Sequence, residues 1–310
     1  MQLFPTVLIL SNKFDFSTDL ITIQLSREGV SYLRLNRDQL ELYDIDLDPL
    51  IPVLRVTYEN TQYEINEQKL HSIYYRAPTF LRDIYQQTAS AEEQLYRTQW
   101  AAFVRSLDIF EKVKWVNNPV ATYRAENKPL QLLYAQRAGF HVPHTHITNR
   151  ITEKPVSPVA IKSLDTAIVH DNDQEAFVYT RIVDPAEITD TRYSSPFIAQ
   201  HALVPKLDLR VTIIENQLVA VSLQGEEEIN EDWRLYKDSI HYEIIKLPKE
   251  IETACILFTQ SLYLNFAAID LILHNNQYFF IEVNPTGEWS WLQKNTGFRF
   301  DQLISKSLSS

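Results

Sequence analysis

Residues 6–10 form an apolar run, and the polar stretch Ser11-Asn-Lys-Phe-Asp15 follows it. Residues 19–28 carry a helical pattern that ends at Gly29, the residue type that takes the left-handed turn after a helix. A second strand is expected from Val30 to Leu35, which makes a β-α-β unit and hence a parallel sheet. A third strand is expected from His71 to Tyr75, before a loop around Arg76-Ala-Pro78. Across 89–111, Leu95, Trp100, Phe103, Val104, Leu107 and Ile109 recur at helical spacing and predict one long helix.

Trp115-Val-Asn-Asn-Pro119 breaks this pattern and sets a first boundary near residue 118. A helix is expected from about Ala121 to Gly139, with Asn127 and Lys128 inside it. Short strands fit 145–148, 159–162, 177–181 and 196–203, with a polar loop over 165–175. Two hairpins follow. Residues 208–214 and 217–222 flank Glu215-Asn216, and residues 267–273 and 277–283 flank His274-Asn-Asn276. Residues 226–232 form an acidic loop, residues 251–264 read as a helix, and residues 300–304 read as a short one. There is no internal repeat.

The chain has 310 residues, a length that suits two domains or one composite unit. A net charge of -11 argues against general nucleic-acid binding, which requires a basic surface. The first residues lack a basic flank and a cleavage site, and no apolar run is long enough to span a bilayer, so a cytoplasmic protein is expected, with neither nucleic acid nor membrane as partner. The one cysteine, Cys255, lies in an apolar run and reads as a core thiol. Only five glycines occur, at 29, 139, 225, 287 and 297, so neither a P-loop nor a Gly-x-Gly-x-x-Gly dinucleotide motif can be assembled.

The chemistry concentrates in the last hairpin. With a short turn at 274–276, Asp270 lies across from Phe280, Glu282 and Asn284, which alternation puts on one face. Two carboxylates and a carboxamide oxygen make a hard-ligand set suited to Mg²⁺. The alternative is a pair of strand-end salt bridges. Lys162, at the end of Val159-Ala-Ile-Lys162, is either a phosphate ligand or a solvated strand end, and Lys128 is either a phosphate ligand or a surface helix lysine. Arg210 alternates with Asp208 on one strand face, and Arg234 follows Asp232-Trp. His144 and His146 would share a strand face with His141 nearby, but no Cys or carboxylate joins them, so a loop entering a strand is preferred to a zinc site.

Taken in order, Lys128, Lys162, Asp208-Leu-Arg210, Asp270 and Glu282-Val-Asn284-Pro-Thr-Gly287 resemble the ATP-grasp ligases. Asn284-Pro-Thr-Gly-Glu-Trp289 with Trp291, Asp232-Trp-Arg234, Arg124-Ala-Glu-Asn-Lys128 and Tyr75-Arg76-Ala-Pro78 resemble more closely the macrocyclases that mature microviridin-type graspetides. The resemblance implies an α/β (α+β grasp) architecture, an ATP-grasp fold with an N-terminal pre-grasp domain and ATP bound between two antiparallel sheets. It implies a pre-grasp domain over 1–118, a central subdomain over 119–200 and a grasp domain over 201–310. By the same likeness Lys128 and Lys162 contact ATP phosphates, and Gln200, Ala202 and Leu203 belong to the adenine hinge. Asp208 joins the nucleotide site, Arg210 meets the γ-phosphate or acyl phosphate, and Asp270, Glu282 and Asn284 hold Mg²⁺. Arg210, Lys162 and Arg234 are the candidate catalytic residues.

The chain departs from the family in two places. Ser163–Val169 lacks the glycine common in the loop after the second lysine, and His201 replaces a hinge acid. The implied reaction activates Asp or Glu side chains of a ribosomal precursor peptide with ATP and closes ester or amide links; a homodimer is implied by likeness alone. The rivals are a ligase that adds amino acids to a peptide or protein terminus and a catalytically silent peptide-binding protein. Glu226, Glu227 and Glu228 are candidate contacts for an arginine in the precursor leader, and Trp289 is a candidate peptide contact or a core residue. Charge reversal at Glu226–Glu228 is expected to weaken precursor binding in a titration with labelled peptide while ATP binding stays unchanged. Unaltered peptide affinity would remove that role from the loop.

Overall fold

The computed structural model describes residues 2–76, 90–165, 168–171, 174–225 and 232–310. The chain begins with β1 (Val7–Ser11), α1 (Phe16–Arg27) and β2 (Tyr32–Asn36). A meander of β3 (Asp44–Asp48), β4 (Val53–Tyr58) and β5 (Thr61–Asn66) comes next, then β6 (Ser72–Tyr75), α2 (Ala91–Ser106), β7 (Lys114–Val116) and α3 (Pro119–Ala125). After α4 (Lys128–Arg137) come β8 (Thr145–Arg150), β9 (Val159–Lys162), β10 (Ile168–Asp171), β11 (Gln174–Phe177), β12 (Arg181–Val183) and β13 (Arg192–His201). Then follow β14 (Leu207–Ile214), β15 (Gln217–Gly225), β16 (Ile240–Ile245), α5 (Lys249–Ser261), β17 (Phe266–His274) and β18 (Gln277–Asn284), with α6 (Ser290–Thr296) and α7 (Phe300–Ser309) at the end.

Contacts group these elements into two units. Residues 1–123, 263–266 and 285–310 form the first, and 124–262 with 267–284 form the second. This differs from the three-block division at 118 and 200. Residues 285–310 belong with the N-terminal sheet because their side chains complete its core. Ser72 Oγ donates to Leu308 O at 2.6 Å, and Trp289 Nε1 donates to Tyr74 OH at 3.3 Å.

In the first unit β2, β1, β6 and β7 pair in that order and in parallel, as the β-α-β pattern requires. Every residue of β1 is buried, the signature of a strand covered on both faces. Leu8 and Leu10 pack with α2 residues and with Leu54, Val56 and Ile65 of the meander. That meander was not anticipated, although its alternation and the left-handed Glu59-Asn60 turn were available as signals. Arg76, buried, donates to Thr286 O, and pairs with Asp15 at 3.3 Å and Glu288 at 2.9 Å. Burial alone would raise the Asp15 carboxyl, but Arg76 and hydrogen bonds from Thr18 and Ser11 hold it below its ordinary value.

Asn117, also in the first unit, is 1% exposed and fully hydrogen-bonded. Its Oδ1 accepts from the Asn265 and Phe266 N–H groups at 2.7 and 2.8 Å, and its Nδ2 donates to Phe266 O and Pro285 O at 2.8 and 2.7 Å. One carboxamide thus holds the chain on both sides of the β17–β18 hairpin.

The second unit holds two large antiparallel sheets besides the two-stranded pair β10-β11. One has four strands in the order β12-β9-β13-β8, and the other has five in the order β16-β15-β14-β17-β18. Both expected hairpins form, with left-handed Glu215 in one turn and Asn275 and Asn276 in the other. Phe140, Phe258 and Phe280 make an aromatic cluster in its core. Cys255 is buried as expected, and burial pushes its thiol up to about 12. The polar stretch 165–175 contributes β10 and part of β11 instead of a single loop, and the strand expected at 177–181 is split between β11 and β12. Among the described residues no helix is long and apolar enough to cross a membrane.

Truncating Asn117 strands four buried backbone groups, each worth about 1–3 kcal/mol when left unsatisfied. Asn117→Ala should therefore lower the stability seen in urea unfolding by about 3 kcal/mol or more, and Asn117→Asp, which keeps the acceptor, by less. A wild-type midpoint for Asn117→Ala would refute the clamp.

Candidate active site

The site lies wholly within the second unit and is built outward from the β17–β18 hairpin. Asp270 stands directly opposite Glu282, and Ala268 opposite Asn284. On the turn side of Asp270 the register shifts: Leu271 pairs with Phe280, which leaves Ile281 as an extra residue. This bulge corrects the expected single face for Phe280, Glu282 and Asn284. Phe280 turns with Leu271 into the core, while Glu282 and Asn284 face Asp270's side. Asn284 Nδ2 approaches Asp270 Oδ2 at 3.4 Å.

Cations close on these carboxylates from four elements. Arg210, mid-strand in β14 and two residues from Asp208 on the same face, reaches Asp270 Oδ1 with Nε at 3.2 Å. Its Nη1 donates to Ala268 O at 3.5 Å. Lys128 places Nζ 3.6 Å from Glu282 Oε2 and donates to Ser163 O at 3.3 Å. The continuous helix expected from Ala121 to Gly139 is in fact broken before Lys128. Asn127 is the N-cap of α4, its side chain accepting from Leu130 N–H, and Pro129 follows in the first turn. The break puts Lys128 at a helix start instead of on a solvated helix face.

Lys162 ends β9, with Ala160 two residues earlier opposite Gln200. Its Nζ donates to Gln200 Oε1 at 2.9 Å, and Gln200 Nε2 donates to Thr145 Oγ1 at 2.9 Å. Burial is the main reason the Lys162 ammonium titrates low, at about 8; the charges of Lys128 and Lys206 push the same way, and Glu282 opposes them. Lys206 was missed in the sequence, although the Lys206-Leu-Asp208 spacing at a strand start was a usable signal. Its Nζ sits 2.6 Å from Asp208 Oδ2. Burial raises the Asp208 carboxyl despite this partner. Arg234 is fixed by Asp232, with Nε and Nη2 donating at 2.8 and 2.6 Å, and its charge also acts on Asp270 and Glu282.

The two facing carboxylates respond oppositely to this setting. Burial, reinforced by the charge of Glu282, raises Asp270 to about 7 although Arg210 opposes it. Burial would raise Glu282 too, but Lys128, Lys162, Arg234 and Arg210 together hold it below its ordinary value. Two half-buried carboxylates and a carboxamide, all hard-oxygen donors, fit a divalent cation such as Mg²⁺. The surrounding lysines and arginines fit an anionic, phosphate-bearing ligand.

Other candidates fall elsewhere. Ala202 and Leu203 are buried after β13, and the Ala202 N–H already donates to Pro158 O at 3.0 Å. Glu226, Glu227 and Glu228 lie outside the described residues. Trp289 is fully buried in the first unit against Phe300, so its expected peptide contact gives way to core packing. The His144 and His146 rings pack at 4.6 Å, and among the described residues no three His, Cys, Asp or Glu side chains gather as a metal site.

Two antiparallel sheets, one with a strand ending in Lys162 and the other with an Asp-x-Arg strand and a carboxylate hairpin, and Lys128 at a helix start, define an ATP-grasp fold. Residues 187–308 match the RimK-like ATP-grasp domain. Over the whole chain the fold is shared with macrocyclase MdnC from Microcystis aeruginosa MRC, solved bound with precursor peptide MdnA, at 22% identity and a TM-score of 0.81 across 99% of both chains. A RiPP-associated ATP-grasp ligase of Chryseobacterium gregarium, in complex with ADP and a leader and core peptide, aligns at 22% identity and a TM-score of 0.81, over 98% of this chain and 95% of that one. The ATP-grasp ligase PsnB, complexed with minimal precursor, Mg and ADP, aligns at 16% identity and a TM-score of 0.76, over 99% and 97%. No curated protein sequence matches the chain.

Removing one partner of a buried ion pair costs about 3 kcal/mol or more, whereas removing both costs less. Arg210→Met should therefore destabilise the second unit strongly, and adding Asp270→Asn should recover part of the loss in denaturant unfolding. Strictly additive losses would show that the pair is not coupled.

Proposed function

We propose that this protein is an ATP-dependent carboxylate ligase that activates Asp or Glu side chains of a ribosomal precursor peptide and closes ester or amide links within it. The observation that carries the reading is the convergence of Lys128, Lys162, Arg210 and Arg234 on the Asp270–Glu282–Asn284 hairpin, in a fold shared end to end with ligases solved with precursor peptides. A ribosomal substrate and ATP place the reaction in the cytoplasm.

A carboxylate resists attack because its leaving group would be oxide. Transfer of the terminal phosphoryl group of ATP to it gives an acyl phosphate, which a hydroxyl or amine of the same peptide displaces, releasing phosphate. Asp270, Glu282 and Asn284 would hold Mg²⁺, which supplies charge neutralisation on the phosphates when bound. Arg210 and Arg234 hold fixed positive charge beside those ligands, where the transferred group gains charge. Lys128 and Lys162 bind phosphate oxygens as ammonium ions, and Lys162 exchanges its bond to Gln200 for one to phosphate. The hinge contact falls to the Ala202 carbonyl and the Leu203 amide, since the Ala202 N–H is engaged. Asp208, neutralised by Lys206, borders the nucleotide. No protein nucleophile is required. Both carboxylates, both lysines and Arg210 are gathered in one site, which favours an active ligase over a silent peptide binder.

The direct test is incubation with a candidate precursor bearing Ser/Thr and Asp/Glu clusters, ATP and Mg²⁺, read by mass spectrometry. Loss of one water per link is expected. A mass gain would instead mark a ligase that adds amino acids to a terminus, and an unchanged mass with folded protein and bound peptide would mark a binder. A second outcome follows from Lys162. Its phosphate-binding form is the ammonium, which predominates below about 8. Nucleotide affinity measured by calorimetry should therefore fall as pH rises from 7 to 9, and Lys162→Arg should flatten that fall. A flat wild-type profile would exclude Lys162 from the phosphate site.

A further inference from the structure

Gln131 holds the backbone of the residue that separates Glu282 from Asn284. It lies in the first turn of α4, three residues after Lys128, so the two share a helix face. Its side chain is buried, with the residue 3% exposed. Its Oε1 accepts from the Val283 N–H at 3.0 Å, and its Nε2 donates to Val283 O at 3.0 Å and to Ala125 O at 2.6 Å.

Val283 belongs to β18, the edge strand of the five-stranded sheet. An edge strand turns the N–H and C=O of every second residue away from its sheet. At Val283 both of these groups meet one carboxamide, as they would meet a peptide group in a further strand. Two residues earlier, the extra residue Ile281 interrupts the ladder with β17. Gln131 therefore fixes the strand where its own sheet constrains it least, immediately between the two side chains that face Asp270.

Lys128 and Gln131 are carried by the same helical turn, while Glu282 and Asn284 flank the residue that Gln131 grips. The 3.6 Å approach of Lys128 Nζ to Glu282 is spanned by that link. Resting on the reading of the site as an ATP and Mg²⁺ site, we propose that Gln131 is a positioning residue: it sets the separation between the phosphate cation Lys128 and the metal ligands Glu282 and Asn284. The bland alternative is that Gln131 only satisfies three buried backbone groups. That role would affect stability and leave metal affinity untouched.

Binding of Mn²⁺ in the presence of ADP, followed by the electron paramagnetic resonance of free Mn²⁺, separates the two without turnover. Wild-type protein is expected to bind, and Gln131→Met and Gln131→Asn to raise the Mn²⁺ Kd by about 10- to 100-fold, the scale of substitutions behind a metal ligand. Circular dichroism and a cooperative melt confirm the fold of each variant. Wild-type binding together with unchanged Mn²⁺ affinity in folded variants overturns the proposal alone. Wild-type protein that binds neither Mn²⁺ nor ADP overturns the reading of the site and the proposal with it. If both variants unfold, Gln131→Glu, which keeps the acceptor for the Val283 N–H, is titrated in the same way: a raised Mn²⁺ Kd in folded protein supports the proposal, and an unchanged one overturns it.

Discussion

The arrangement depends on keeping two carboxylates side by side where water is scarce. Asp270 and Glu282 oppose each other across adjacent strands, where like charges repel and burial penalises both. The fold answers with cations from separate elements: a strand centre for Arg210, a helix start for Lys128, a strand end for Lys162 and a capped turn for Arg234. The balance is local. The chain as a whole has 40 acidic and 29 basic residues, yet this site gathers its charges in near parity. Residual tension falls on Asp270: burial and the charge of Glu282 hold its carboxyl well above its ordinary value.

The hairpins were readable from the sequence because alternation and turn residues act locally. Asn275 and Asn276 take left-handed conformations that their short polar side chains tolerate, and apolar strand runs flank them on both sides. The order of lysines, Asp-x-Arg and hairpin carboxylates was readable as well, since each residue type is costly to bury without a purpose. The bulge was not. Ile281 suits a strand on either face, so nothing in its chemistry marks it as extra, and only the pairing of Leu271 with Phe280 reveals it.

Helical periodicity hid the break before Lys128 in a similar way. Apolar spacing runs on across Asn127, and the capping type of Asn with the following Lys-Pro was the only local sign. Trp289 shows the opposite limit. Its neighbours suggest a surface loop, and its burial comes from Tyr74 and Phe300, of which Tyr74 is far away in sequence. Long-range contacts of this kind have no periodic signature. The same is true of Asn117 and Gln131, whose carboxamides replace strand partners and whose own sequence surroundings are unremarkable.

The chain passes between its two units four times. During synthesis, residues 124–262 and 267–284 emerge before residues 285–310, which supply α6 and α7 to the N-terminal sheet. The early-made β1, β2 and β6 must therefore wait without α6 and α7 while the whole second unit is translated. Contacts such as Ser72 with Leu308, 236 residues apart, come late and carry a high loop-closure cost. A chain that stops before residue 285 would thus lack the last two helices that cover this sheet.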